Sequence, residues 1–192
     1  MQMNKTEAFT VWFTGLSGAG KSTLAHALGV HLRDLSLRHE VLDGDEIRTQ
    51  LCRDLGFSKE DRDENIRRIS YVASILNRHD VITIVAAISP YRTARLKARE
   101  MCERFVEVFV DCGLQTLIHR DAKGLYQRAL AGEIQNFSGV SDIYEAPEAP
   151  EIYVNSHSQS KEESFAVVLS RLQELGYLPH SGRASRVAKL AV

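Results

Sequence analysis

At 192 residues the chain has the length of one domain and can bury a core without disulfide or metal staples. Its 24 Lys and Arg against 25 Asp and Glu leave a net charge of −1, with no broad basic excess to displace counterions from a phosphate backbone, so a small ligand is expected rather than nucleic acid. Cys52, Cys102 and Cys112 are too few and too scattered for a disulfide framework or zinc ribbon, and no apolar run approaches the ~20 residues of a membrane span or the core of a secretion signal; a reduced, cytoplasmic protein without membrane contact is expected.

The first element is Phe9-Thr10-Val11-Trp12-Phe13, whose apolar, aromatic and β-branched residues predict a buried strand. Gly15-Leu16-Ser17-Gly18-Ala19-Gly20-Lys21-Ser22 follows and fits the phosphate-cradling pattern GxxxxGK(S/T) at every fixed position, with Thr23 beside it. Glycines let backbone N–H groups turn inward around phosphates, and the N-terminus of the next helix adds partial positive charge. Lys21 supplies a full charge for the β and γ phosphates, and the Ser22 hydroxyl suits Mg²⁺. Leu24, Leu28, Leu32 and Leu35 then mark one face of a helix, which gives the loop the strand-to-helix setting that its mechanism requires.

A second strand, Glu40-Val41-Leu42, leads into Asp43-Gly44-Asp45. Phosphoryl transfer needs a metal to offset charge and a group that accepts or orients a proton, and either carboxylate fits either task. One of the two is also expected to cap the helix that follows. Ser58 and Asp61 predict a capping box, after which Ile66, Ile69, Ala73 and Leu76 define a buried stripe that Arg62 and Asn65 continue one turn earlier. An Arg and an Asn at the leading edge of such a stripe are placed to line a pocket, the Arg fork suiting phosphate or sulfate, while Arg67 and Arg68 fall on the surface.

A third strand over residues 81–87 is followed by Ser89-Pro90-Tyr91-Arg92, and a fourth over 105–110 ends at Asp111. Arg120 to Gly124 form a basic turn that can bring Arg120 and Lys123 toward phosphates or lie in solvent. The segment from Gly132 to Glu151 has little periodicity and carries Phe137-Ser138-Gly139, the mark of a lid that keeps water from a reacting phosphate. A fifth strand, residues 152–154, precedes a helix capped by Ser160 with Glu163 and ended by Gly176. The fold class is therefore α/β: a P-loop NTPase-like, mainly parallel five-stranded sheet with helices on both faces and a mobile lid, one domain over residues 1–179 with a loosely ordered tail over 180–192. Ligands in such sheets sit at the carboxyl ends of the strands, where these reactive residues collect.

Several blocks together resemble the adenylylsulfate kinase family. They are the phosphate loop with Thr23, Leu42-Asp43-Gly44-Asp45 with Ile47-Arg48, Leu55-Gly56-Phe57-Ser58 with Asp61-Arg62 and Glu64 to Arg68, Ile88 to Arg92, Arg120-Asp121 with Lys123-Gly124-Leu125-Tyr126, Gly132-Glu133-Ile134, and Tyr144 to Pro147. The resemblance implies that the γ-phosphate of MgATP passes to the ribose 3′-hydroxyl of adenosine 5′-phosphosulfate for sulfate assimilation, with ATP and Mg²⁺ as cofactors. It implies that Lys21, Asp43, Asp45 and Ser89 serve the transfer, Ser89 as a phosphoserine intermediate, although direct in-line transfer needs no covalent step. Ser22 and Asp45 would hold the metal and Arg120 the ATP. Arg48, Arg62 and Asn65 would hold the phosphosulfate and ribose, Phe57 and Phe137 would sandwich the adenine, and Ile88, Lys123 and Leu125 would line the same pocket. Homodimers are common in the family. Glu46 stands where the family often has asparagine, and Ser138 and Val140 replace a threonine and an isoleucine. The length leaves no room for the sulfurylase domain of some members, so a stand-alone kinase is expected. The alternatives are a kinase of another small alcohol on the same scaffold and a catalytically silent nucleotide sensor.

Overall fold

The computed structural model describes residues 7–121 and 123–179, and the tail expected from residue 180 lies outside them. Five strands form one all-parallel sheet in the order β2-β3-β1-β4-β5, where β1 is Thr10–Thr14, β2 His39–Asp43, β3 Ile82–Ala86, β4 Phe105–Asp111 and β5 Ile152–Asn155. Every strand predicted from the sequence is present, with ends shifted by a residue or two.

The period-two alternation of β1 divides the molecule into two apolar layers. Val11 and Phe13 face one side and pack with Leu24, Leu28 and Leu32 of α1 (Lys21–Asp34) and with Val168 and Leu172 of α7 (Lys161–Glu174). Trp12 faces the other and packs with Ile66, Ile69 and Ala73 of α3 (Lys59–Arg78) and with Ala94 and Ala98 of α4 (Arg92–Met101). Burial on both faces is why every residue of β1 and β3 is buried and neither strand carries a charge, their only polar side chains being threonines.

Helix starts follow their local chemistry. Ser58 Oγ accepts from Asp61 N at 3.1 Å, and at Ser160 both halves of a capping box form with Glu163. Three short helices complete the fold at the carboxyl edge: α2 (Gly44–Gln50), α5 (Leu114–Arg120) and α6 (Leu125–Leu130). Residues 131–151 contain no helix or strand, only an isolated bridge between Ser138 and Asp142, as expected for the long loop. No described helix is long and apolar enough to cross a membrane.

Candidate active site

The strands deliver their loops to one edge, and there β1 opens into the phosphate loop. Gly15 has a φ of 146°, and a Cβ at that position would collide with the Val110 carbonyl oxygen, so only glycine lets the loop leave the sheet beside β4. Gly20, the N-cap of α1, is left-handed with a φ of 102° and offers no side-chain cap, which leaves the first N–H groups of the helix turned toward the loop. Lys21 is buried, with Nζ donating to the Leu16 carbonyl at 2.7 Å. Burial lowers its pKa to about 8, against the upward pull of Asp45 and Asp43.

A cavity of about 780 Å³ opens beside the loop, lined from the phosphate side by Ser17, Gly18, Gly20, Lys21, Ser22 and Thr23. Its other walls come from Asp43, Asp45 and Arg48 after β2, Phe57, Arg62 and Asn65 from the start of α3, Ile88 and Ser89 after β3, and Lys123, Leu125, Phe137 and Ser138 from the later loops. The residues predicted for the transfer and for the acceptor thus share one cleft. Glu46 is exposed in the first turn of α2 and is not among the lining residues.

Asp43 and Asp45 separate in the fold. Asp43, the last residue of β2, caps α2 through Oδ1 at 2.9 Å from Asp45 N, while its Oδ2 accepts from Ser22 Oγ at 2.5 Å. Asp45, expected with Ser22 at the metal, instead accepts from Lys123 Nζ at 2.7 Å. The reason is positional: Asp43 ends the strand beside the first turn of α1, whereas Asp45 is already inside α2 and faces the segment before α6. The hydrogen bond from Lys123 to Asp45 holds the lysine charged by raising its pKa. Hard oxygen donors at Ser22 and Asp43 suit Mg²⁺. Among the described residues no group of three or more His, Cys, Asp or Glu could hold a metal ion.

The acceptor side is cationic and aromatic. Arg48 and Arg62 flank the Phe57 ring, with Cζ 4.5 and 5.5 Å from its centroid, and Phe57 is 54% exposed. Arg62 is buried, donating through Nε to the Phe57 carbonyl at 3.2 Å and through Nη2 to the Asn136 carbonyl at 2.5 Å, with Asp142 3.7 Å away. Asn65 Oδ1 and Ser138 Oγ are buried without a hydrogen-bond partner in the protein, a condition that costs about 1–3 kcal/mol per group unless a ligand completes it. Phe137 is buried edge-on against Tyr126, with centroids 5.0 Å apart, and Tyr126 donates to the Ser17 carbonyl at 2.8 Å. That chain of contacts ties the acceptor wall to the phosphate loop.

Ser89 is 2% exposed with a φ of +48°, its Oγ accepting from Trp12 Nε1 at 2.9 Å and lying 3.4 Å from the Ala87 carbonyl. The two cations of the basic turn part company. Lys123 lines the main cleft, while Arg120 lines a second cavity of about 310 Å³ with Gly18, Thr23, Ser156 and Lys161, on the other side of the phosphate loop. Arg67 pairs with Glu64 at the surface as expected, but Arg68 is drawn half under by a two-pronged bond to Asp54 at 2.7 Å.

Asp142 and Arg95 emerge only here, and Tyr126, so far one residue of a block, gains a partner at the phosphate loop. Tyr91 OH donates to Asp142 Oδ2 at 2.6 Å, which brings the carboxylate beside Arg62, and burial together with that bond raises the tyrosine's pKa.

Comparison with known proteins agrees with this geometry. The model of the adenylylsulphate kinase family matches residues 7–155. A probable bifunctional SAT/APS kinase 2 from Sorangium cellulosum is 57% identical over 183 residues, 95% of this chain, which spans only 32% of that longer protein. The adenylyl-sulfate kinase of a Picosynechococcus strain is 54% identical over 169 residues, 88% of this chain and 96% of the relative. Among solved structures, the Mycobacterium tuberculosis APS kinase CysC in complex with AMPPNP and APS superposes with a TM-score of 0.83 at 42% identity, covering 87% of this chain and 98% of that one. A phosphate loop at the edge of a parallel sheet, a cationic, aromatic cleft beside it and a family match over most of its length together make this chain a member of the adenylylsulphate kinase family.

Proposed function

We propose that the protein is an adenylyl-sulfate kinase, transferring the γ-phosphate of ATP to the ribose 3′-hydroxyl of adenosine 5′-phosphosulfate in sulfate assimilation. The observation that carries this reading is the shared cleft. Phosphate-loop residues form one wall and a cationic, aromatic pocket with the orphaned Asn65 Oδ1 forms the other. A donor phosphate and a nucleotide acceptor can therefore meet at the carboxyl edge of the sheet.

In this mechanism the loop N–H groups and Lys21 bind the β and γ phosphates. The second cavity, with Arg120, takes the adenosine of ATP. Mg²⁺ would be held by Ser22 and Asp43, and when bound it offsets charge on the phosphate oxygens. Asp45 serves the acceptor hydroxyl, accepting or orienting its proton, with Lys123 Nζ donating to its Oδ2 at 2.7 Å and so fixing where the carboxylate sits. Arg48, Arg62 and Asn65 bind the phosphosulfate and ribose, with Ile88 and Leu125 completing the wall. Phe57 and Phe137 enclose the adenine, each stacked face contributing roughly 1–3 kcal/mol. The loop over 131–151 excludes water from the γ-phosphate. Residues 1–179 act as one kinase domain, and a homodimer in the cytoplasm is the form proposed for it.

The aromatic wall separates this reading from a kinase of another small alcohol. Phe57→Ala is expected to weaken adenylyl sulfate binding by about tenfold or more while ATP binding changes by less than about twofold, measured by calorimetric titration of each ligand. Equal adenylyl sulfate affinity in the variant and the parent would favour the other alcohol.

A further inference from the structure

One buried charge cluster has no part in the roles above. Arg95 of α4 is 3% exposed, and each of its guanidinium nitrogens has a partner at 2.7 Å: Nε donates to Glu107 Oε1 of β4, Nη1 to the Ser89 carbonyl and Nη2 to the Glu145 carbonyl. A buried ion pair is poor evidence of stabilisation, because desolvation offsets most of the attraction. What distinguishes this one is where its bonds go. They join a core strand, the turn that lines the cleft and the far end of the long loop.

That turn is held in an unfavourable shape. Ser89 lies in the left-handed region, which is unfavourable for a residue with a side chain unless its surroundings fix it. Arg95 grips its carbonyl and Trp12 its hydroxyl. Glu145 then returns to the same turn, its N–H donating to the Pro90 carbonyl at 2.8 Å and its carboxylate accepting from Arg92 N at 2.6 Å. Nearby Arg99 makes a two-pronged pair with Glu151 at the end of the loop and lies 3.7 Å from Glu107 Oε2, but it reaches neither the Ser89 turn nor Glu145 in these contacts.

We infer that Arg95 is a positioning residue for the acceptor nucleotide: it fixes the wall at Ile88 and Ser89 and seats the loop that carries Phe137, touching neither nucleotide itself. This rests on the acceptor reading given above. Arg95→Lys keeps the charge beside Glu107, but one ammonium cannot reproduce the three-way fork. The test measures KM for adenylyl sulfate and for ATP separately, together with the rate of protease cleavage within residues 131–145 of the ligand-free protein, the part of the loop that Arg95 holds and Arg99 does not, using Arg99→Met as a comparison.

Arg95→Lys is expected to raise the adenylyl sulfate KM and the loop cleavage rate each by about tenfold, with the ATP KM within about twofold. Arg99→Met is expected to lower the melting temperature and leave both KM values and loop cleavage within about twofold. Both KM values unchanged in Arg95→Lys, both rising in parallel, or loop cleavage at the parent rate would overturn the inference even in an active kinase. If the parent protein does not phosphorylate adenylyl sulfate, the functional reading fails, and loop cleavage alone decides whether Arg95 seats the loop. Should Arg95→Lys not fold, Glu107→Gln keeps the shape and withdraws the charged acceptor; it too is expected to raise only the adenylyl sulfate KM, and a parallel rise in both would again overturn the inference.

Discussion

A serine hydroxyl donates one hydrogen bond and accepts two, and at Ser89 the hydroxyl sits between an indole N–H and a carbonyl, out of solvent. Forming a phosphoserine there would remove the O–H that faces the Ala87 carbonyl and bring a dianion into a buried turn. Ser89→Ala is accordingly expected to destabilise the fold by about 1–3 kcal/mol, through the stranded Trp12 N–H, while kcat falls by no more than about tenfold. A folded variant with kcat lower by three orders of magnitude would instead establish a covalent role. Lys21 offers a second test at this scale. Its pKa of about 8 leaves it charged below that pH and increasingly neutral above it. Phosphate binding favours the charged form, so ATP binding at pH 8 should take up part of a proton at this residue and ATP affinity should fall as pH rises beyond 8. Titrations in two buffers of different ionisation enthalpy measure the uptake, and its absence at pH 8 contradicts a buried, half-neutral Lys21.

Helix α3 shows how an element carries a site. Its apolar stripe docks on the sheet, and the same spacing continued toward its start brings Arg62 and Asn65 into the cleft. Ser58 caps that first turn, so Ser58→Ala should cost about 1 kcal/mol of stability and, by fraying the turn, raise the adenylyl sulfate KM more than the ATP KM. Equal changes in the two constants would separate the cap from the site. This part of the molecule was legible because it depends on local periodicity: the stripe, the cap, the apolar strands and the glycine loop are all written within a few turns of chain. The division of labour between Asp43 and Asp45 was not legible, since it depends on how the end of β2 lies against α1, a contact of 21 residues' separation. Tyr126 reaches Ser17 across 109 residues, Tyr91 reaches Asp142 across 51 and Arg95 reaches Glu145 across 50. No spacing rule marks such partners, and only the assembled sheet brings them together.

At the scale of the whole molecule the sheet acts as a frame between two apolar layers, and its carboxyl edge gathers residues from every part of the described chain. The phosphate loop divides that edge, with the smaller cavity and Arg120 on one side and the larger cleft with its aromatic and cationic wall on the other. Two cavities sharing one phosphate loop suit a reaction between two nucleotides, in which positioning and electrostatics supply most of the rate. The long loop closes the arrangement from above and is anchored at Arg62, Tyr91 and Arg95.

The most direct measurement follows the γ-phosphate itself. The protein is incubated with Mg²⁺, γ-labelled ATP and either adenylyl sulfate or its 3′-deoxy analogue. The label is expected to move to a product one phosphate heavier than adenylyl sulfate, with none reaching the 3′-deoxy analogue. Label released only as inorganic phosphate, label retained in ATP beside an active control enzyme, or equal transfer to the 3′-deoxy analogue would contradict the proposed transfer.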